Sequence, residues 1–196
     1  MFLDALPTAE AFTELLATDG IVRGLIGPRE VPRLWDRHLL NCAVVTDAVP
    51  TGASVCDIGS GAGLPGLVMA IRRADLQVTL VEPLLRRTTF LTEAVTVLGL
   101  TNVRVIRGRA EEVHGSEVFD VVTSRAVAPL DRLSRWSLPL VRSGGEFLAM
   151  KGSSAEEELA TAAKVITKER GQVQGVLELG SELLDTPVRV VRILKQ

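Results

Sequence analysis

One glycine-rich stretch, VCDIGSGAGLPG at residues 55–66, limits the possible folds more than any other part of the chain. The apolar run Ser54 to Ile58, which begins one residue before this stretch, predicts a buried strand. Leu64 to Arg73 predict a helix with Pro65 in its first turn. The glycines between these segments let the backbone approach a ligand closely. A strand, a glycine loop and a helix in this order are typical of the nucleotide-binding edge of an α/β sheet.

Length and composition indicate a single globular domain. A chain of 196 residues can bury a sizeable core without disulfides or metals. The net charge of -2 does not decide whether RNA is a partner, because a local basic patch remains possible. Cys42 and Cys56 lie far apart without metal-ligand spacing, so we expect no metal and a reducing compartment. The start, Met1 to Asp4, lacks the pattern of a signal peptide. We therefore expect a cytoplasmic protein, a monomer, without a membrane partner.

Residues 1–50 predict a helical extension in front of the sheet. Ala9 to Thr18 have helical spacing and end before Gly20, and Glu30 to Val45 form a second amphipathic pattern. One edge of this second helix carries cations four residues apart with a histidine alongside: Arg29, Arg33, Arg37 and His38. This edge is open to two interpretations, a solvated face or a contact with RNA phosphates.

Residues 51–196 predict a mainly parallel sheet with helices on both faces, because strand and helix patterns alternate from Ser54 onward. The last two strand-like segments are joined by a turn-prone region and predict a terminal antiparallel hairpin. The predicted strands are 54–58, 78–81, 103–107, 119–124, 146–151, 173–179 and 188–194, and the predicted helices of this part are 64–73, 85–98, 130–140 and 155–169.

The glycine loop alone is compatible with two ligands. Its GxGxxG spacing, with Glu82 about twenty residues later, fits a dinucleotide and hence a nicotinamide-dependent oxidoreductase. The sequence Asp57-Ile58-Gly59-Ser60-Gly61 instead resembles motif I of the class I S-adenosylmethionine-dependent methyltransferases. The helical extension and the terminal hairpin favour this Rossmann-like fold. A noncatalytic module that binds S-adenosylmethionine is a further alternative.

Three segments are candidates for cofactor binding at the predicted sheet edge. The Glu82 carboxylate can accept hydrogen bonds from both ribose hydroxyls. Asp57 can favour the cationic end of the methionine moiety or cap the loop amides. Ala110 and Glu111 follow the third strand, where they can read the adenine edge or simply lead into a short helix.

The end of the predicted fourth strand indicates which kind of atom accepts the methyl group. Thr123-Ser124-Arg125-Ala126 stands where many amino methyltransferases carry an Asn-Pro-Pro-Tyr type motif, and no Pro-Cys nucleophile is present. A ring nitrogen such as guanine N7 needs neither device, because no proton has to leave. Arg125 lies near the sulfonium and requires an anion, either a ligand group or a neighbouring acid. Lys151, at the end of the predicted fifth strand, either lies at the same sheet edge and contacts such an anion, or is a solvated lysine.

Together the motifs resemble the glucose-inhibited division protein B (RsmG) family over nearly the whole chain. They are the glycine stretch, Glu82 with Arg86-Arg87, Arg107 to Glu112, Ser124-Arg125-Ala126, Leu148 to Gly152 and Arg37-His38-Leu39-Leu40. The resemblance implies S-adenosylmethionine-dependent methylation of N7 of a guanine in the decoding-region loop of 16S ribosomal RNA, in the free RNA or the small subunit. Asn41-Cys42 depart from the Asp-Ser that the family often shows.

The candidate site residues fall into three sets. Arg125 and Lys151 are the catalytic candidates. The resemblance implies cofactor contacts at Gly59, Leu64, Ala110, Glu111 and Arg125 with Glu82 on the ribose, and the loop pattern adds Asp57, Ser60, Gly61 and Gly63. The candidate RNA contacts are Arg29, Arg33, Arg37 and His38, because phosphate contacts supply affinity while base contacts supply selection.

Overall fold

The computed structural model describes residues 1–196 and contains one seven-stranded sheet in the order β3-β2-β1-β4-β5-β7-β6. The first five strands are parallel, whereas β7 is antiparallel to both β5 and β6. The predicted α/β class and the terminal hairpin are therefore confirmed. The strands are β1 Ser54–Ile58, β2 Gln77–Glu82, β3 Val103–Arg107, β4 Phe119–Arg125, β5 Val141–Lys151, β6 Gly171–Leu179 and β7 Val188–Lys195.

Seven α-helices accompany the sheet, and none is long and apolar enough to cross a membrane. Gly99, at φ +63°, follows the helix after β2, in the left-handed conformation that suits glycine at a helix end. The helices are α1 Leu6–Leu15, α2 Leu40–Val45, α3 Gly66–Arg72, α4 Leu85–Val97, α5 Ala110–Val113, α6 Leu130–Ser137 and α7 Ala155–Lys168.

Two hydrophobic clusters cover the two faces of the sheet. Successive side chains of β1 point to opposite faces, so Val55 belongs to one cluster and Cys56 to the other. The first cluster also includes Phe12 and Leu39 from the extension, both fully buried. Burial of one such side chain stabilises the fold by about 1.5–3 kcal/mol. The extension is therefore packed against the sheet, and it brings the segment after residue 28 to the carboxyl edge.

The helix predicted over Leu64 to Arg73 begins later, at Gly66. Gly63 has φ +91°, so the chain is not yet helical there, and the Leu64–Pro65 peptide bond is cis. The Gly66 N–H donates to Asp57 Oδ2 at 3.0 Å, which satisfies one of the free amides of the first turn.

The prediction of a single helix over Glu30 to Val45 is wrong. The segment consists of a 3-10 helix at Pro28–Arg33, a π-helical turn at Leu34–Leu39 and only then α2. Pro32 lies inside the first piece and has no N–H to donate, which interrupts a regular α-helical ladder. The expected four-residue repeat of arginines on one helix edge is therefore lost, although Arg29, Arg33 and Arg37 are all exposed.

Candidate active site

The glycine loop, residues 59–65, turns back over the end of β2. The N–H groups of Gly59 and Ser60 both donate to the carbonyl oxygen of Val81, at 2.8 and 3.3 Å. The Ser60 hydroxyl donates to the carbonyl oxygen of Asp57 at 2.9 Å. Gly59, Gly61 and Gly63 have φ values of +69°, +56° and +91°, which a residue with a side chain adopts only under strain. The loop is therefore held by backbone hydrogen bonds to β2 and within itself, in a conformation that requires these glycines.

Glu82 ties the end of β2 to the glycine loop. One carboxylate oxygen accepts from the Gly61 N–H and the other from the Leu84 N–H, each at 3.0 Å. Arg87 Nη1 lies 3.4 Å from the first oxygen, and the Glu82 side chain is only 1% exposed. The structure places this acidic side chain beside the glycines, and its ribose contact stays a prediction.

Asp57 lies beneath the loop and is fully buried. Its Oδ2 accepts the Gly66 N–H, while Oδ1 has no hydrogen-bond partner. Burial disfavours the charged form and raises the pKa of this carboxyl group to about 7. Of the two roles predicted for Asp57, the structure confirms the capping of a loop amide, and the interaction with the cationic end of the methionine moiety stays a prediction.

Ala110 and Glu111 form the start of α5, directly after β3. The Gly108 N–H donates to the carbonyl oxygen of Glu82 at 3.2 Å, so this segment adjoins the ribose candidate. Ala110 is buried and Glu111 is exposed. The segment leads into a short helix, as one of the two interpretations predicted. It lies at the same sheet edge as Glu82, and its contact with adenine stays a prediction.

Arg125, at the end of β4, contacts the helical extension and not a carboxylate. Nη2 lies 2.7 Å from His38 Nδ1, and Nη1 donates to Cys42 Sγ at 3.2 Å. Of the alternatives for Arg125, the ion pair with a neighbouring acid is therefore wrong. Cys42 was not among the predicted site residues, since nothing in the spacing of residues 83 positions apart indicates contact.

His38 links Arg125 to Glu30. Its Nε2 lies 2.8 Å from Glu30 Oε2, and because Nδ1 faces the Arg125 donor, the proton of the neutral ring belongs on Nε2. The ring is only 12% exposed, and burial is the main cause that lowers the pKa of His38. The ring of His38 points into this chain of contacts, and its predicted contact with RNA stays a prediction.

Lys151, at the end of β5, is not a solvated lysine. Its Nζ donates to the carbonyl oxygen of Ala128 at 2.8 Å and to Glu158 Oε2 at 2.7 Å, and its side chain is 7% exposed. Glu158 Oε2 also accepts the Leu130 N–H at 2.8 Å. The pair therefore fixes the loop between β4 and α6.

That loop, residues 126–129, covers the glycine loop. A Cβ atom added at Gly59 would lie 2.6 Å from Val127 Cγ2, so the two segments touch. Ala126 has φ +54°, which is a strained conformation for a residue other than glycine. We call residues 126–129 the covering loop.

A cleft of about 1440 Å³ opens beside the covering loop, and we call it the acceptor cleft. One wall belongs to the extension, the floor to the ends of β4 and β5, and the other wall to the connection between β6 and β7, which the sequence analysis did not assign to a site. The polar and charged lining includes Arg33, Asp36, Arg37, Asn41, Arg125, Lys151, Glu178, Asp185 and Arg189.

The predicted RNA-binding arginines differ in position. Arg33 and Arg37 line the acceptor cleft, whereas Arg29 is exposed outside its lining. Arg37 Nη1 lies 3.6 Å from Glu30 Oε1, and Arg33 forms no ion pair. No group of three or more His, Cys, Asp or Glu side chains is placed to hold a metal ion.

Residues 5–185 match the model of the GidB family, described as rRNA small subunit methyltransferase G. A ribosomal RNA small subunit methyltransferase G from Thermobifida fusca is 57% identical over 193 residues, which cover 98% of this chain and 81% of the relative. The protein of that name from Nocardioides sp. is 60% identical over 191 residues, covering 97% and 76%. The solved structure of the mitomycin 7-O-methyltransferase MmcR superposes with a TM-score of 0.67 at 20% identity, covering 94% of this chain and 60% of that one.

Proposed function

Since the chain belongs to the GidB family of rRNA small subunit methyltransferase G proteins, we propose that it methylates N7 of a guanine in small-subunit ribosomal RNA, with S-adenosylmethionine as donor. The observation that carries the proposal is the acceptor cleft, which has arginines on its walls and is lined by the covering loop, whose Val127 packs against Gly59. The family match gives no support to a nicotinamide-dependent oxidoreductase.

The glycine side has the groups that the donor requires. The left-handed glycines bring the loop backbone close to the end of β2, and the Glu82 carboxylate beside them accepts hydrogen bonds, as ribose hydroxyls demand. We assign the donor to Gly59, Gly61, Leu64 and Glu82, with Ala110 and Glu111 toward the adenine. S-adenosylmethionine supplies a methyl group on a sulfonium, whose sulfur keeps the electron pair of the broken bond.

The acceptor side suits a nucleophile that has no proton to lose. Neither Arg125 nor Lys151 is a free base, because the first is a guanidinium and the second is paired with Glu158. The N7 lone pair of guanine needs only alignment with the methyl carbon, which positioning supplies. Arg125 has no carboxylate partner and therefore remains available for an anion, such as an RNA phosphate.

The cleft is larger than a typical pocket for a small molecule, which holds about 300–1000 Å³. Arg33 and Arg37 on its wall would contact phosphates and hold the RNA, while the target base enters the cleft. In an RNA helix N7 faces a deep, narrow groove that side chains do not reach, so the target guanine has to be unpaired or flipped out.

The test is to map methylated nucleotides in small-subunit RNA from cells with and without this gene, and then to restore the mark with purified protein. We expect one guanine that carries an N7 methyl group only when the protein is present. Glu82→Ala should lose cofactor affinity, and Arg33→Ala with Arg37→Ala should lose RNA affinity alone. Methylation of another atom would overturn the N7 assignment, and label found only in protein or small molecules would overturn the RNA substrate.

A further inference from the structure

We infer that Asp185, on the connection between β6 and β7, recognises the N1–H and N2–H edge of the target guanine. The inference rests on the proposed function and names the residue that selects the base. Asp185 lines the acceptor cleft, is exposed, and has neither an ion pair nor a hydrogen bond within the chain. The other acidic side chains on the floor and on this wall of the cleft are Glu158 and Glu178. They form ion pairs with Lys151 and Arg189, respectively.

The topology places Asp185 opposite the glycine loop. β1 and β7 are separated by β4 and β5, so three strand intervals of about 4.8 Å put roughly 14 Å between the loop after β1 and the segment that leads into β7. Val188 begins β7 at the carboxyl edge, because β7 is antiparallel to β5 and pairs Arg189 with Lys151. In guanine the N1–H and N2–H edge lies at roughly a right angle to the N7 lone pair, so a base that directs N7 to the donor presents this edge to a side wall of the cleft, such as the wall that carries Asp185.

The position of Asp185 is fixed by its neighbour. Leu184 packs against the core, and a Cβ atom added at Gly180 would lie 2.8 Å from Leu184 Cδ1 and 2.9 Å from Val44 Cγ1. The N–H groups of Leu183 and Leu184 both donate to the carbonyl oxygen of Gly180. The connection is thus a closed turn held against α2, so the carboxylate needs little reordering to meet a base.

A carboxylate is the group that distinguishes guanine in this orientation. It only accepts hydrogen bonds, and guanine offers it two donors, N1–H and N2–H, while N7 stays free. Adenine presents an acceptor at N1 and would be repelled. Methylation at N7 places a positive charge on the ring, so the contact strengthens as the reaction proceeds and should affect kcat more than KM.

The experiment compares the protein with Asp185→Ala on small-subunit RNA that carries either guanosine or inosine at the mapped position. Inosine keeps N7, O6 and N1–H but lacks the 2-amino group. We expect the inosine substitution to lower kcat/KM of the unaltered protein about tenfold or more, since a good bidentate contact discriminates by about 1–3 kcal/mol. In Asp185→Ala the same substitution should have almost no further effect.

Two carboxylates provide matched controls. Asp36, on the extension wall of the cleft, also has no partner, and Glu182 lies exposed on the same connection outside the cleft lining. For Asp36→Ala and Glu182→Ala the full inosine penalty should remain. An equal inosine penalty with and without Asp185 would overturn the inference while N7 methylation stands. A failure of the unaltered protein to methylate guanosine at N7 would overturn the proposed function itself.

Discussion

The two halves of the carboxyl edge are held in different ways. On the β1–β2 side acidic side chains accept hydrogen bonds from backbone N–H groups of the adjoining loops, as Glu82 does from Gly61 and Leu84. On the β4–β5 side cationic side chains contact side chains of other elements, as Arg125 does with His38 of the extension and Lys151 does with Glu158 of α7. The first half is a closed loop, and the second is a cleft between three parts of the chain.

This difference indicates a division of work. A site whose donors and acceptors are already paired holds one shape, which suits a small cofactor used in every reaction. A site assembled from separate elements can differ in width and charge, which suits a large acceptor. The buried groups of the two halves should therefore respond differently to pH and to substitution, and three predictions test whether they do.

The largest expected effect belongs to Asp57 on the glycine side. Burial raises the pKa of Asp57 to about 7, so the ionised form of this carboxyl group destabilises the fold. The stability that the protein has with Asp57 protonated is therefore lost as the pH rises from about 4 to about 7. Asp57→Asn removes the ionisation. We expect the free energy of unfolding of Asp57→Asn, relative to the unaltered protein, to rise by about 3–4 kcal/mol between pH 4.5 and pH 8, measured by urea denaturation.

Asp120→Asn is the matched control, because it should show the opposite sign. The pKa of Asp120 is lowered to about 2 by hydrogen bonds from Ser54 and Arg142, so its stabilisation is present above about pH 4 and is lost on acidification. If the stability difference for Asp57→Asn did not change with pH, the carboxyl group would not be buried as described, and the glycine side would not be the closed half.

The same contrast explains what could be predicted from the sequence. The glycine loop, Glu82 and the succession of the seven strands along the chain depend on patterns within about thirty residues, and those predictions of position agree with the structure. His38 and Cys42 lie 87 and 83 positions from Arg125, so tertiary packing decides these contacts, and the alternative of an acidic partner for Arg125 was wrong. Glu158 lies only 7 positions after Lys151, but the pair forms only because the chain turns there into α7, and the interpretation of Lys151 as a solvated lysine was wrong. Pro32 was visible in the sequence, and its missing N–H should have divided the helix predicted over Glu30 to Val45.

The second prediction concerns His38 on the acceptor side. His38→Ala removes the acceptor for Arg125 and the donor for Glu30, so we expect stability at pH 7.5 to fall by about 1–2 kcal/mol and methyl transfer to fall while cofactor affinity is kept. The lowered pKa of His38 means that its contribution is present above about pH 6.5 and is lost as pH falls through the pKa in the folded protein. The effect of His38→Ala should therefore shrink at pH 5.

His114→Ala provides the comparison, because His114 is the other histidine of the chain and its Nε2 lies 2.8 Å from the carbonyl oxygen of Trp136, away from the cleft. It should leave methyl transfer and its pH profile unchanged. Equal losses of activity in the two variants would mean that His38 acts through general stability alone. In that case the contact between His38 of the extension and Arg125 would not position the β4–β5 half for methyl transfer.

The smallest expected effect comes from the covering loop. Ala126 has φ +54°, and Ala126→Gly should relieve this strain and raise stability by up to about 1 kcal/mol. Arg170, at φ +59° after α7, offers a strained residue far from the cleft, and Arg170→Gly should stabilise to a similar extent. If strain at Ala126 holds Val127 over Gly59, only Ala126→Gly should also lower methyl transfer and raise the KM for the cofactor. Unchanged kinetics in both glycine variants would show that the covering loop does not depend on the conformation of Ala126, and the two halves of the edge would then be less coupled than their contact at Gly59 indicates.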